Sequence, residues 1–264
     1  MNETRSKTIE GIQKLAAGLI ATSTAGHKLC LIGGFRYRLL SHSCRTSTDI
    51  DYHWDGDLDS KQMEIVGLLR SKLLPEVKRR FGYEGTVSQA TGPDTDSPFV
   101  RTVSAAFYRM GEEPDRIEIP VEITSIPCLD APVVRTVFGT VYLTASDADM
   151  IESKVIALFN RVYLEARDIL DLFLFQDSFI AESAKRLRTK FVTLQISPAA
   201  VVERSARLLT NRVVHARAID EIIDDQVDAA VAANLRASGG GIMIFDAVVN
   251  LLADKLGIPK GFGT

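Results

Sequence analysis

The decisive stretch of this sequence is LIGGFRYRLLSHSCRTSTDIDYH, residues 31–53. An apolar run at residues 29–32 predicts a short buried strand that stops at the glycine pair Gly33-Gly34. Residues 47–51 predict a second strand, on which Asp49 and Asp51 project from one face because residues two apart on a strand point the same way. The stretch therefore predicts two strands, a glycine turn after the first and two carboxylates on the second.

This pattern of side chains indicates a site for a metal and a phosphate. Two carboxylates held side by side repel each other unless a cation lies between them. Mg²⁺, which proteins bind through one or two carboxylates and substrate phosphates, suits the pair Asp49 and Asp51, with Mn²⁺ as an alternative. Glycines have no Cβ and let the backbone approach a phosphate closely. A solvated strand edge is the competing interpretation, since Asp55, Asp57 and Asp59 follow.

The composition is ordinary for a globular protein. The chain has 264 residues, of which 46% are apolar and 25% charged, enough for one large domain or two modest ones. Because the net charge is −3, contact with nucleic acid would need local basic patches. Three widely separated cysteines favour a reducing compartment over a disulfide framework. No apolar run is long enough to cross a bilayer, so we expect a cytoplasmic protein without a membrane partner.

The rest of the N-terminal part predicts a mixture of helices and strands. Helices are expected at residues 7–21, at 34–40 and from about residue 59, where Pro75 should kink or end the third helix. Further strands are expected at residues 83–89, 99–108 and 116–124, with a loop at 91–98 and a hairpin at 133–143 around Gly139.

The strand at residues 116–124 offers a third carboxylate. Its isoleucines and valine alternate with Glu118, Pro120, Glu122 and Thr124, so one face is buried and the other presents acidic groups. Glu122 is the preferred third metal ligand and Glu118 the alternative. Pro120 has no N–H for a strand ladder, which indicates a position at or near a sheet edge.

The sequence becomes helical near residue 145. Residues 148–161 and 164–175 have clear helical patterns, weaker ones follow at 181–194, 198–209 and 217–233, and a glycine break precedes a last helix at 242–256. We therefore expect two domains, residues 1–145 and 146–264. Ser146 or Asp147 is suited to cap the first helix of the second domain.

The first of these helices carries a second set of polar residues. Lys154 and Arg161 are seven residues apart and therefore share one helical face, and Arg167 and Asp168 follow. A basic residue aimed at a triphosphate stabilises the negative charge that develops on leaving pyrophosphate. Taken alone, the segment is better explained as a helix surface with ion pairs between acidic and basic side chains.

The two blocks together resemble a known family. The Gly-Gly…Ser-x-Asp-x-Asp block resembles the active-site signature of the DNA polymerase β nucleotidyltransferase superfamily. The Lys-x-x-Ala-Leu-x-x-Arg…Arg-Asp-x-x-Asp block is similar to the second signature of its AbiEii/AbiGii branch, which includes the MenT-like toxins. The matching residues are Gly33, Gly34, Arg45, Ser47, Asp49, Asp51, Lys154, Ala157, Leu158, Arg161, Arg167, Asp168 and Asp171.

The resemblance implies an α+β protein, with an N-terminal polymerase-β-like nucleotidyltransferase domain of mixed sheet and flanking helices and an all-α C-terminal domain. It implies metal binding by Asp49 and Asp51, to which we add Glu122. It implies a nucleotide site made of Gly33, Gly34, Ser47, Lys154, Arg161 and Arg167. Lys154 and Asp168 would join the two aspartates as catalytic residues, contributed by the helical domain. Phe35 stands where the family has a small hydroxyl residue.

The expected activity is a Mg²⁺-dependent transfer of an NMP unit from an NTP to an acceptor hydroxyl. By resemblance the protein is a toxin of a type IV or phage-defence system, its acceptor is the 3′ end of tRNA, and a cognate antitoxin is encoded nearby. A small molecule or a protein side chain is the alternative acceptor. The alternative function is a nucleotide-binding or antitoxin-binding protein without turnover. Three basic clusters, at 78–80, 185–190 and 204–212, are candidate RNA contacts, although a solvated helix face is the better explanation for each one taken singly.

Overall fold

A computed structural model describes residues 3–90, 99–109, 112–161 and 163–257. The loop expected at residues 91–98 lies outside these ranges. The chain divides into two compact units, which are Met1–Ile126 with Pro132–Ala145 and Pro127–Ala131 with Ser146–Thr264. The first unit contains a mixed sheet with flanking helices and the second is helical, which confirms the predicted α+β class.

The first unit contains helices α1 to α4 and strands β1 to β7. In chain order they are α1 (Glu3–Ala21), β1 (Cys30–Ile32), α2 (Gly33–Leu40), β2 (Ile50–His53), α3 (Leu58–Leu68), α4 (Leu74–Phe81), β3 (Glu84–Gln89), β4 (Val100–Arg109), β5 (Glu112–Thr124), β6 (Val133–Val137) and β7 (Thr140–Thr144). The predicted hairpin around Gly139 is confirmed as β6 and β7. Gly139 has a φ of +76°, which glycine adopts without steric cost.

The sheet places the strands in the order β3-β4-β5-β2-β1-β7-β6. Strand β2 pairs antiparallel with β1 and parallel with β5, and β1 pairs parallel with β7. One face of the central strands is buried in the main core of this unit, together with apolar residues of α1 and α3. The side chains that these central strands contribute to this core include Leu31, Ile50, Tyr52, Val121 and Ile123. Alternation along β2 and β5 therefore places Asp51, His53 and Glu122 on the opposite face.

The prediction of a strand over residues 47–51 is wrong at its beginning. Strand β2 starts only at Ile50, so Asp51 is on the strand and Asp49 lies in the bend before it. The Ser47 hydroxyl donates a 2.7 Å hydrogen bond to Oδ1 of Asp49. Local side-chain bonds of this kind compete with regular pairing and favour turns. Asp49 is therefore not on the strand that carries Asp51, and the two carboxylates do not share one strand face.

The edge position inferred from Pro120 is also wrong, because β5 lies between β4 and β2 inside the sheet. The parallel pairing with β2 begins only at Val121, one residue after Pro120. At Pro120 the ladder with β2 therefore needs no backbone N–H donor, and proline is tolerated there. Pro75 does not end the helix, which continues to Phe81. The long helix is divided by a π-helical segment at Leu69–Leu73, and Pro75 lies in the first turn of α4, where its missing N–H is tolerated.

The second unit contains seven helices among its described residues, joined by short turns. They are α5 (Asp147–Asn160), α6 (Ala166–Leu174), α7 (Ser183–Thr193), α8 (Pro198–Thr210), α9 (Arg212–Gln226), α10 (Ala229–Ala237) and α11 (Gly240–Leu256). Ser146 caps α5 by accepting from the N–H of Asp149. The helix predicted at 217–233 is two helices. Among the described residues no single helix is long and apolar enough to span a bilayer, and only α10 and α11 together pass that test, as a pair bent by 77°.

Candidate active site

Asp51 and Glu122 lie side by side on the polar face of the sheet. They are direct register partners in the parallel pairing of β2 with β5. Neighbouring strands are about 4.8 Å apart, so the two side chains leave the sheet next to each other on the same face. The sequence pattern could not give this register. It follows from the pairing of strands that lie some seventy residues apart in the chain.

Glu118, the alternative third carboxylate, lies elsewhere on β5. It precedes Glu122 by four residues, or about 13 Å along an extended strand. Its pairing partner is Ala106 on β4, and its carboxylate accepts a 2.9 Å hydrogen bond from the Ser104 hydroxyl. Strand β2 does not reach this position, so Glu118 has no register partner there.

Both glycines of the Gly33-Gly34 pair contact functional side chains. Gly33 has a φ of +74°, and a Cβ built on it would lie 1.7 Å from Oδ2 of Asp51. A Cβ on Gly34 would lie 2.6 Å from Nη2 of Arg45 and 2.8 Å from Oγ of Ser47. The positive φ and the contact with Asp51 therefore require glycine at position 33, independently of any phosphate that approaches the turn.

Asp49 is held in a buried polar cluster beside the glycine turn. It accepts from the Ser47 hydroxyl, and the Ser47 carbonyl accepts a 2.9 Å hydrogen bond from the side-chain amide of Gln13 on α1. Ser47, Asp49 and Arg45 are all buried. The first residue after the glycine pair, Phe35, is fully buried in the core and cannot replace the small hydroxyl of the family signature.

The donor set suits a hard cation that a substrate helps to bind. Across residues 3–90, 99–109, 112–161 and 163–257, no three carboxylate, imidazole or thiol groups are close enough together to hold a metal by themselves. Asp51 and Glu122 supply two adjacent carboxylates, and Asp49 is one residue before the same strand. Mg²⁺ is commonly bound by one or two carboxylates together with substrate phosphates, and this arrangement agrees with that pattern.

In the helical unit, Lys154 lies between two buried aspartates. Its ammonium group is 2.8 Å from Oδ1 of Asp168 and 2.9 Å from Oδ2 of Asp171, both on α6. Asp168 also contacts the guanidinium of Arg161, at 2.7 Å through its other oxygen. The interpretation of this segment as an exposed helix surface is therefore wrong for Lys154, Asp168 and Asp171. These charges are internal and compensate one another.

Arg167 contacts a different carboxylate from Lys154 and Arg161. Its guanidinium lies 3.9 Å from Glu165, and the side chain is partly exposed. Asp171 is a residue that sequence reasoning matched to the family block without giving it a role. Asp171 lies three residues after Asp168 and therefore on the same side of a helix. This spacing was the feature of the sequence from which a shared role could have been inferred.

The basic cluster at residues 185–190 is largely internal. Lys190 is fully buried, with its ammonium group 2.6 Å from Asp149 and 2.8 Å from Glu152 on α5. Arg186 contacts the same two carboxylates at 2.7 and 2.8 Å and also Asp130 at 2.8 Å. Arg186 and Lys190, two of the four basic residues that made this segment a candidate RNA contact, therefore form ion pairs inside the helical unit.

Two carboxylates of this network, Asp149 and Asp130, have a lowered pKa. Burial raises the pKa of Asp149, but the ammonium group of Lys190 and the backbone N–H groups of Leu129 and Asp130 outweigh it, and the pKa is lowered. Hydrogen bonds from Arg186 and Ser146 likewise lower the pKa of Asp130. The network therefore joins the segment Pro127–Ala131 to α5 and α7.

The other two basic clusters are mostly paired with neighbouring acids on the surface. Lys78 lies 2.8 Å from Glu84, and Arg79 and Arg80 both contact Glu76. In the third cluster Arg204 donates to the carbonyl of Arg161, Arg207 pairs with Glu203 and Arg212 with Asp246. Exposed pairs of this kind contribute little to stability and are available to exchange partners.

Comparison with solved structures shows the class of fold. JHP933 from Helicobacter pylori aligns with a TM-score of 0.54 at 16% identity, over 97% of this chain and 96% of that one. MenT4, a nucleotidyltransferase toxin from Mycobacterium tuberculosis H37Rv, aligns with a TM-score of 0.52 at 18% identity, over 96% and 94%. No curated protein sequence matches the chain. A nucleotidyltransferase fold thus extends over nearly all of it.

A family comparison makes this class specific. The family described as nucleotidyl transferase AbiEii toxin, type IV TA system, matches residues 14–239 and so includes both signature blocks. The chain belongs to this family. It is a nucleotidyltransferase of the toxin type, and membership implies an NTP substrate and an antitoxin partner. The predicted resemblance is confirmed.

Proposed function

We propose that the protein transfers an NMP unit from an NTP to an acceptor hydroxyl, with Mg²⁺ as its metal. The observation that carries this proposal is the register pairing of Asp51 with Glu122 beside Gly33. Asp49, Asp51 and Glu122 are the proposed metal ligands, all with hard oxygen donors. When bound, the metal neutralises phosphate charge and favours loss of the proton from the attacking hydroxyl.

The chain's own residues position the nucleotide. The glycine turn at Gly33 and Gly34 begins α2, so its backbone N–H groups belong to the first turn of a helix and are suited to a phosphate. Ser47, next to Gly34, supplies a hydroxyl whose orientation is set by its bond to Asp49. Arg45, in the same cluster, adds positive charge close to the turn.

In the helical unit, Lys154 is the proposed contact for the triphosphate. Asp168 and Asp171 hold its ammonium group in place, and Asp168 is thereby a positioning residue for Lys154 as well as a member of the proposed catalytic set. Arg161 and Arg167 are the further proposed nucleotide contacts. A fixed ammonium group stabilises charge that develops on pyrophosphate without a cost for reorganisation at the moment of reaction.

The acceptor that we propose is the 3′ end of tRNA, and the physiological outcome is growth arrest that an antitoxin encoded nearby reverses. Support comes from the family description and from the likeness to MenT4, a protein described as a nucleotidyltransferase toxin. Since NTPs and tRNA are cytoplasmic molecules, we propose the cytoplasm as the site of action. A small molecule or protein hydroxyl is the second candidate acceptor.

The test is incubation with each labelled NTP, Mg²⁺ and total tRNA, followed by separation of the RNA. We expect label on tRNA with the wild type and loss of transfer with Asp51→Asn and Lys154→Ala. Lys72→Ala, which removes an exposed lysine of the π-helical segment, is the matched control and should retain activity. Full transfer by Asp51→Asn would refute the proposed metal site.

A protein without turnover is the competing function. Binding of Mg-NTP by equilibrium dialysis, with no label transferred to tRNA, total protein or small-molecule extract, would favour it. The ammonium group of Lys154, held between Asp168 and Asp171, argues for turnover, because a fixed cation is suited to the charge that develops on leaving pyrophosphate.

A further inference from the structure

We infer that the outer face of α7 binds the phosphate backbone of the RNA acceptor through Lys185 and Arg188. This inference deepens the proposed function and rests on it, because it takes RNA as the acceptor and assigns a surface of this chain to its backbone. Helix α7 has four basic residues and no acidic one. Since the whole chain has a net charge of −3, contact with nucleic acid requires a local excess of positive charge of this kind.

The four basic residues of α7 form an inner pair and an outer pair. Arg186 and Lys190, the inner pair, contact two buried carboxylates of α5. Lys185 and Arg188, the outer pair, are exposed. Residues three or four apart on a helix lie on the same side, so each pair has its own side of α7.

The inner pair fixes the rotation of α7 about its axis. Arg186 and Lys190 each contact both Asp149 and Glu152, at distances of 2.6 to 2.8 Å. Separating buried charges from their partners is strongly destabilising, so the inner side of the helix stays against α5. The outer pair is thereby held toward solvent, on the same helical unit that carries Lys154.

The outer pair has no competing partner. Within the part of the chain that the structure describes, the side chains of Lys185 and Arg188 form no ion pair and no hydrogen bond. Glu182, the nearest acidic residue in the sequence, pairs with neither of them in that part of the chain. The cations of the other two basic clusters are mostly paired already. Lys185 and Arg188 can therefore bind phosphate without first breaking a salt bridge.

The remaining residues of this face favour contact with the backbone over contact with bases. Thr189, Val192 and Thr193 lie on the same side of α7 and are exposed. None of them is acidic, and none is aromatic, so the face offers no platform on which bases would stack. Side chains three residues apart on a helix have Cβ atoms about 5–6 Å apart, which lets two long cations contact neighbouring phosphates of one strand. Phosphate contacts position a nucleic acid without reading its sequence.

The test measures binding of fluorophore-labelled tRNA to the full-length protein, by fluorescence anisotropy at several KCl concentrations and without NTP. Lys185→Gln combined with Arg188→Gln removes both charges and keeps long, helix-forming side chains. Each phosphate contact contributes about 0.7 to 0.9 to the slope of log Kd against log salt. We therefore expect this double variant to lower the slope by about 1.5 and to raise the Kd about tenfold at about 0.15 M KCl.

Lys28→Gln combined with Lys72→Gln is the control matched in charge, because it removes two exposed lysines of the first unit. Its salt slope should equal that of the wild type, and its Kd should stay within about twofold. In the transfer assay, the α7 double variant should have a raised KM for tRNA and the wild-type KM for NTP.

Three results would overturn the inference. One is a wild-type salt slope and Kd in an α7 double variant whose circular dichroism matches the wild type. Another is equal weakening in the control variant, which would show a general effect of net charge. The third is a wild type that binds no tRNA at any salt concentration. If the wild type binds tRNA with the expected dependence on α7 but transfers no NMP to it, the proposed function fails and the inference stands.

Discussion

Asp51 and Glu122 face each other across two parallel strands as direct register partners. Their residue types were apparent in the sequence, but their adjacency depends on which strand β5 pairs with and in which register. A shift of one residue would move Glu122 to the core face and bring Val121 or Ile123 beside Asp51. The buried residues Val121 and Ile123 therefore fix the register that places the carboxylates together.

Glu122→Gln should abolish most of the NMP transfer, whereas Glu118→Gln should not. The two residues lie on the same strand and the same face, but only Glu122 is paired with Asp51. We expect a loss of at least about 100-fold in kcat for Glu122→Gln, because even residues that only support metal ligands cost about 10–100-fold. Glu118→Gln should remain within about twofold of the wild type in the same assay. The reverse order of effects would make Glu118 the third carboxylate.

Gly33→Ala should damage the site and destabilise the fold. The new Cβ would meet the Asp51 carboxylate, and the φ of +74° is unfavourable for alanine, so we expect a loss of more than about 1 kcal/mol in the free energy of unfolding. Gly67→Ala is the matched control. Its added Cβ meets nothing within 4 Å, and in helix α3 it should be neutral or stabilising by up to about 1 kcal/mol. Urea unfolding of both variants provides the measurement.

A Gly33→Ala variant as stable as the wild type and with unchanged transfer activity would contradict the close packing of Gly33 on Asp51. Both substitutions lower the conformational entropy of the unfolded chain equally. The comparison with Gly67→Ala therefore removes this general effect of replacing a glycine.

Periodicity predicted the helices and strands of this protein well. It fixed the α+β class and the hairpin at Gly139, because these depend on patterns within a few residues. It failed for the start of β2, where a local bond between Ser47 and Asp49 replaces strand pairing. It also failed for Pro120, whose tolerance inside the sheet depends on where another strand ends.

The charged residues of the helical unit were the hardest to predict. A helical wheel cannot separate an exposed lysine from one that another helix covers with carboxylates. Lys190 and Lys185 are equally basic in the sequence, but only Lys190 is buried between Asp149 and Glu152. Family resemblance identified Lys154, Asp168 and Asp171, whereas the contacts of the lysine with both aspartates became visible only through the packing of α5 on α6.

Asp149→Asn should destabilise the protein at neutral pH and much less in acid. Burial raises the pKa of Asp149 in the folded protein. Lys190 and two backbone N–H groups lower that pKa by more, so the net shift is downward. A lowered pKa means that the carboxylate stabilises the fold above its unfolded pKa of about 3.9, and that this contribution is lost as the pH falls through the folded value. We expect a deficit of about 3 kcal/mol at pH 7 that shrinks below about pH 4.

Urea unfolding at pH 7, 5 and 3.5 tests this prediction. Asp177→Asn, an exposed aspartate in the 3₁₀ turn of the same unit, should show only a small difference from the wild type at each pH. A deficit for Asp149→Asn that is the same at pH 7 and pH 3.5 would show that the charge of the carboxylate is not what stabilises the network.

Lys154 should prove important for both stability and activity, and Arg167 for activity alone. Lys154→Met leaves Asp168 and Asp171 buried with less positive charge beside them, and breaking buried pairs typically costs about 3–5 kcal/mol. Arg167 is partly exposed and lies 3.9 Å from Glu165, so Arg167→Ala should change stability by no more than about 0.5 kcal/mol. If Arg167 contacts the nucleotide as proposed, the KM for NTP should nevertheless rise.

The double variant Lys154→Met with Asp171→Asn separates the two roles of the lysine. Removing both charges of one pair should recover part of the stability that Lys154→Met loses, because one uncompensated buried carboxylate is gone. Activity should not recover, since no ammonium group remains for the triphosphate. Recovered stability with recovered transfer would mean that Lys154 serves the fold and does not contact the substrate.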